Sequence, residues 1–95
     1  MNLEKLFASV DDLKKPYNPI LAKAKYRITA WLKSETLKKY VFDINSVVFE
    51  GLTLNAVCDG IESLTTMYIL DKYNDKRLRR LLIYDIEQAC RACKE

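Results

Sequence analysis

The chain has 95 residues, of which 49% are hydrophobic and 31% charged, and its formal net charge is +3. This describes one globular domain with a modest core and excludes wholesale disorder. A charge of +3 is modest for a nucleic-acid-binding protein, the lack of histidine removes the commonest general base near neutral pH, and only two Gly and two Pro argue against a many-stranded β fold.

The first predicted element is a helix over 3–14. Asn2 can cap it, and Leu3, Leu6, Phe7, Val10 and Leu13 recur with helical spacing. Lys14 and Lys15 suit its C-terminus, and Pro16 stops it. With acids from position 4 and no continuous apolar run, this start does not resemble a signal peptide. Three cysteines, an odd count, read as reduced thiols rather than a disulfide framework. Together these features predict a cytoplasmic protein.

Asn18 followed by Pro19 is a helix start signal. The second helix is expected over 19–33, with Leu21, Ala24, Ile28, Trp31 and Leu32 inward and Lys23, Lys25, Arg27 and Lys33 outward. Ser34 then caps a third helix over 35–50, in which Leu37, Val41, Ile44 and Val48 keep step. Gly51 would end it in the left-handed position. Residues 40–49 are also rich in β-branched and aromatic side chains, so a hairpin turning at Asn45-Ser46 competes with that helix.

The stretch 52–73 organises the rest. Leu54, Val57, Ile61, Leu64 and Tyr68 form a stripe, widened by Cys58, Met67 and Ile69. A helix apolar over so much of its circumference calls for neighbours on several sides. Thr53 can cap it, and Gly60 suggests close approach of a second helix. Asp59, Glu62 and Asp71 keep it from reading as a membrane span. Asp75 caps a last helix over 76–93, burying Leu78, Leu82, Ile86, Ala89 and Cys93, with Ile83 and Cys90 beside them. The expected architecture is a single all-α domain covering 1–95, a bundle of four to five helices around the central apolar helix at about 52–73. The alternative is α+β, with a small sheet from residues 25–50.

Charge is unevenly distributed. Residues 1–42 carry nine Lys/Arg against four Asp/Glu, residues 43–75 one against six, and residues 76–95 six against three. The run Lys76, Arg77, Arg79, Arg80 places four cations in the first turn of a helix, where the dipole is already positive. Asp75 can relieve part of this as cap and as partner of Arg79. The arrangement suits an anion: a phosphate, or a carboxylate of a protein partner. Tyr73, Arg77, Arg80, Leu81, Tyr84, Gln88 and Arg91 line up at helical spacing on a face away from the core stripe, with the residue types that interface centres favour. Lys23, Lys25 and Arg27 form a secondary basic face. The bland alternative is a solvated basic surface, with Leu81 and Tyr84 in the core.

Other chemistry has less support. Cys90 and Cys93 have CxxC spacing, but they close a helix where redox pairs open one, and Cys58 is the only further cysteine. They are read as small core residues, with no metal and no cofactor expected. Asp11-Asp12 and Asp59/Glu62 are carboxylate pairs without a surrounding site, and no phosphate loop or nucleophile motif appears. The expected function is therefore non-enzymatic: a small regulator, inhibitor or adaptor that binds another protein with an acidic surface, or a homodimer. Nucleic-acid binding through the basic start of the last helix is the alternative, and no membrane association is expected.

Overall fold

A computed structural model describes residues 18–45, 49 and 51–95. The expected helix at 3–14 lies outside the described residues. Four helices are present among them: α1 (Pro19–Trp31), α2 (Glu35–Asp43), α3 (Leu54–Lys72) and α4 (Lys76–Cys93). No described residue is in a strand, which overturns the α+β alternative.

Each helix starts where a capping side chain dictates. The Asn18 carboxamide accepts from the Ile20 and Leu21 amides, both at 3.1 Å, with Pro19 opening α1. Ser34 accepts from Leu37, Thr53 from Ala56 and Asp75 from Leu78. These bonds satisfy amides that have no partner within the helix.

The ends depart from the sequence reading. α1 stops at Trp31 because Leu32 turns extended and buries itself, and because Asp85 holds the next two amides. The Asp85 carboxylate accepts from the Lys33 N–H at 3.0 Å and the Ser34 N–H at 2.9 Å. α2 stops at Asp43 instead of residue 50, with Ile44 extended and buried. The β-branched and aromatic run that follows favours leaving the helix, and the departure lets Phe49 enter the core at 2% exposure. The Asn18 side chain, which caps α1, also donates to the Phe49 carbonyl at 3.2 Å.

Gly51 does adopt the left-handed conformation, φ +75°, but in the turn after Phe49 and not as the end of α2. Gly60 accommodates a close approach, though the neighbour is the Phe49 ring and not a helix: a Cβ at this position would overlap it.

α3 and α4 are joined by a three-residue turn and run antiparallel, since Asn55 near the start of α3 exchanges hydrogen bonds with the Glu95 backbone beyond the end of α4. α1 is antiparallel to α4 as well, with Arg27 near Glu95 and Ser34 near Asp85. α2 seats on α3 through the stacked rings of Tyr40 and Tyr68, 4.0 Å between centroids. The shared core includes Ile28, Leu37, Val41, Ile61, Ile69 and Ile86, all fully buried.

The buried stripe of α3 is Val57, Cys58, Ile61, Thr65 and Ile69, narrower than its composition suggests. Met67 and Leu70 lie outside it and are exposed. Thr65 is buried, yet its hydroxyl has no hydrogen-bond partner among the described residues. No helix among the described residues is long and apolar enough to cross a membrane.

Candidate functional site: a groove between the end of the first helix and the last helix

The basic run at the start of α4 is not uniform. Arg79 turns back onto the end of α3, where its guanidinium donates to the Leu70 carbonyl at 2.6 Å and to the Tyr73 carbonyl. Those carbonyls lie at a helix C-terminus, where a cation is favoured. Arg79 is thus anchored within the fold, bonded to carbonyls and not to Asp75 as the sequence suggested. Lys76, Arg77 and Arg80 are exposed.

Beyond that first turn, α4 presents Leu81, Tyr84, Gln88 and Arg91 on its outer side. Leu81 is 68% exposed and Tyr84 60%, so neither belongs to the core. Gln88 is half-buried and Arg91 exposed. The structure brings a further aromatic beside them. Trp31, expected inside, is 63% exposed at the end of α1. Trp31, Leu81, Tyr84 and Gln88 line one groove of about 710 Å³, together with Leu78, Leu82, Ala89 and Asp85 of α4 and Lys33 and Ser34 of the α1–α2 connection.

Local sequence explains why Trp31 is left at the rim. Trp31 and Leu32 follow Ile28 at i+3 and i+4, so both could extend its stripe. Ser34 opens a new helix immediately afterwards, which leaves room for one of them in the core, and Leu32 takes it at 3% exposure. The nearness of Ser34 to Trp31 is the signal that would have found this residue. Asp85 fixes the geometry by binding the Lys33 and Ser34 amides across the groove.

Tyr84 also borders a second, shallower hollow of about 410 Å³ lined by Lys76, Arg79, Arg80, Ile83 and Glu87. The outer side of α4 is therefore aromatic and aliphatic at its centre, with Lys76, Arg80 and one acid, Glu87, beside it.

The secondary basic face is engaged within the chain. Lys23 and Arg27 pair with the Glu95 carboxylate at 3.2 and 3.1 Å. Lys23 first, then Arg27, holds that carboxyl below its usual range. Lys25 donates to the Phe42 carbonyl at 2.9 Å, near the end of α2.

The three cysteines are buried free thiols. Burial pushes the Cys90 thiol far up, and the neighbouring Glu62, Cys58 and Cys93 push it further. Cys58 and Cys93 are raised by burial too. Neutral thiols of this kind are poor nucleophiles and poor ligands. No group of three or more His, Cys, Asp or Glu among the described residues is arranged to hold a metal. Asp59 pairs with Lys94, and Asp11-Asp12 lie outside the described residues.

Comparison with known proteins returns no significant match, whether to a family model, a curated protein or a solved structure.

Proposed function

We propose that this chain is a small cytoplasmic regulator, inhibitor or adaptor, without catalytic activity of its own, that binds another protein through the groove between α1 and α4. One observation carries this reading: three large side chains, Trp31, Leu81 and Tyr84, are exposed around a single groove. Isolated exposed apolar residues are ordinary, whereas a contiguous patch rimmed by polar groups marks an interaction surface. Trp and Tyr are also the side chains that contribute most at interface centres. In this reading α3 is the central apolar scaffold of the bundle, and α4 is displayed on it.

A different protein suits this face better than a second copy. An antiparallel pairing of two α4 helices centred on Tyr84 would set Arg77 opposite the Arg91 of the other copy, and like charges in contact oppose association. Exposed Lys76, Arg77 and Arg80 support nucleic-acid binding as a second reading. It is the weaker one, because Arg79, Lys23, Lys25 and Arg27 have partners within the chain.

The test is affinity capture from the native cells with full-length protein and a Leu81→Glu/Tyr84→Ala variant, with and without nuclease. A discrete protein held by the wild type, resistant to nuclease and lost from a variant with unchanged thermal unfolding, supports the proposal. Recovery that disappears with nuclease transfers the function to nucleic acid, and equal recovery by both proteins removes the groove from it.

A further inference from the structure

We infer that the occupant of the α1–α4 groove is an amphipathic helix of about three turns with acidic residues flanking its apolar stripe. The inference rests on the reading of the groove as a protein-binding surface and specifies what binds there.

The shape of the groove sets the length. Its α4 wall runs from Leu78 to Ala89. At about 1.5 Å per residue this is roughly 16 Å, or close to three helical turns. Trp31 and Tyr84 line the groove from different helices, and Leu78 and Leu81 add exposed apolar surface to it. A cleft between two helices with an apolar lining matches the mode in which a partner helix lays down anchors at i, i+3, i+4 and i+7. An extended strand fits less well, because its backbone needs an unpaired sheet edge, and no strand exists among the described residues.

The charges set the chemistry. Lys33 lines the groove. Arg80 lines the adjoining hollow beside Tyr84, with Lys76 and one acid, Glu87, and Arg77 lies one turn before Leu81 on α4. Lys33, Arg77 and Arg80 are exposed, and none makes an ion pair among the described residues. The carboxylate within the groove, Asp85, already accepts from two backbone amides. An incoming helix therefore meets apolar surface bordered by available positive charge. Acidic flanks would be drawn in and held there, and basic flanks repelled.

The experiment is a selection on full-length protein from a phage-displayed library of random peptides roughly 16 residues long, enough for four turns. A parallel selection uses Leu81→Glu, a substitution at an exposed position. The expected result is enrichment of sequences with apolar residues at helical spacing and an excess of Asp and Glu beside them, absent from the Leu81→Glu selection. Replacing those acids by Asn and Gln should weaken a selected peptide roughly tenfold at low salt. Enriched sequences that depend on Leu81 but carry no acidic excess overturn the inference and leave the protein-binding reading standing. Enrichment that ignores Leu81→Glu, or none above an unrelated control protein, overturns both. A Phe7→Asp variant of the full chain covers the remaining occupant, residues 3–14. If peptides bind only that variant, the chain's own segment fills the groove and the inference fails.

Discussion

Trp31, the last residue of α1, and Tyr84, near the middle of α4, line the same groove, and each leaves more than half of its side chain in solvent. Neither is needed to fill the core. Two aromatic side chains kept at the surface by separate helices are the relationship from which the functional reading follows.

Trp31 is the only tryptophan of the chain, so its fluorescence reports on the groove alone. Emission should be that of a solvated indole and readily quenched. Iodide should quench it more strongly than caesium, because Lys33 shares the groove with Trp31 and the one carboxylate there, Asp85, is held by two backbone amides. The difference should shrink as salt is raised and the Debye length falls to about 8 Å at physiological ionic strength. Equal quenching by the two ions at low salt would show that the rim has no net positive field.

Gly60→Ala should destabilise the fold even though it sits in a helix interior. Alanine there would ordinarily gain about 1 kcal/mol. The added methyl group would meet the Phe49 ring, itself buried, and overpacking of this kind costs about 1–3 kcal/mol. Denaturant unfolding of Gly60→Ala, and of Gly60→Ala combined with Phe49→Leu, provides the check. The double variant should recover part of the loss. A Gly60→Ala protein more stable than the parent would mean that the Phe49 ring does not pack against Gly60.

Thr65→Val should raise stability by about 1 kcal/mol or more. The Thr65 hydroxyl is buried without a partner among the described residues, so replacing it with a methyl group of similar shape removes a desolvation penalty and leaves the packing unchanged. Thermal unfolding measures it, and a decrease would show that the hydroxyl does have a partner.

The thiols give a pH dependence with a definite sign. Cys58, Cys90 and Cys93 all titrate above the ordinary thiol value of 9.0 in the folded chain. Below that value the thiols are protonated in both states, and the stabilisation is fully present. As pH rises beyond it the unfolded chain ionises first, so stability falls on the alkaline side. Native protein should react slowly with a thiol-specific disulfide reagent at pH 8 and quickly once unfolded. Cys90→Ala should lose less stability than the parent between pH 8 and pH 10, and an equal loss would contradict this assignment.

Most of the fold is legible in the sequence because local chemistry determines it. Asn18, Ser34, Thr53 and Asp75 are capping residues placed ahead of apolar periodicity, and each does open a helix. What could not be read locally depended on contacts across the chain. α2 ends at Asp43 because Phe49 has a place in the core beside Gly60, and α1 ends at Trp31 because Asp85, more than fifty residues away, binds the next two amides. The same applies to the candidate site. The spacing of Leu81, Tyr84, Gln88 and Arg91 identified one outer face. Helical spacing alone puts Trp31 in the core, and only the helix start at Ser34 shows that a single one of Trp31 and Leu32 can be buried. The spacing pairs Arg79 with Asp75, whereas its actual partners are the Leu70 and Tyr73 carbonyls at the end of the preceding helix.

The most direct test is site-specific photo-crosslinking in the native cells, with a photoreactive amino acid in place of Tyr84 and, separately, in place of Met67, which is 67% exposed on α3. The account predicts a discrete adduct with one partner protein from position 84 and none from position 67. The absence of an adduct at position 84, or the same adducts from both positions, would contradict the claim that this groove is where the protein binds.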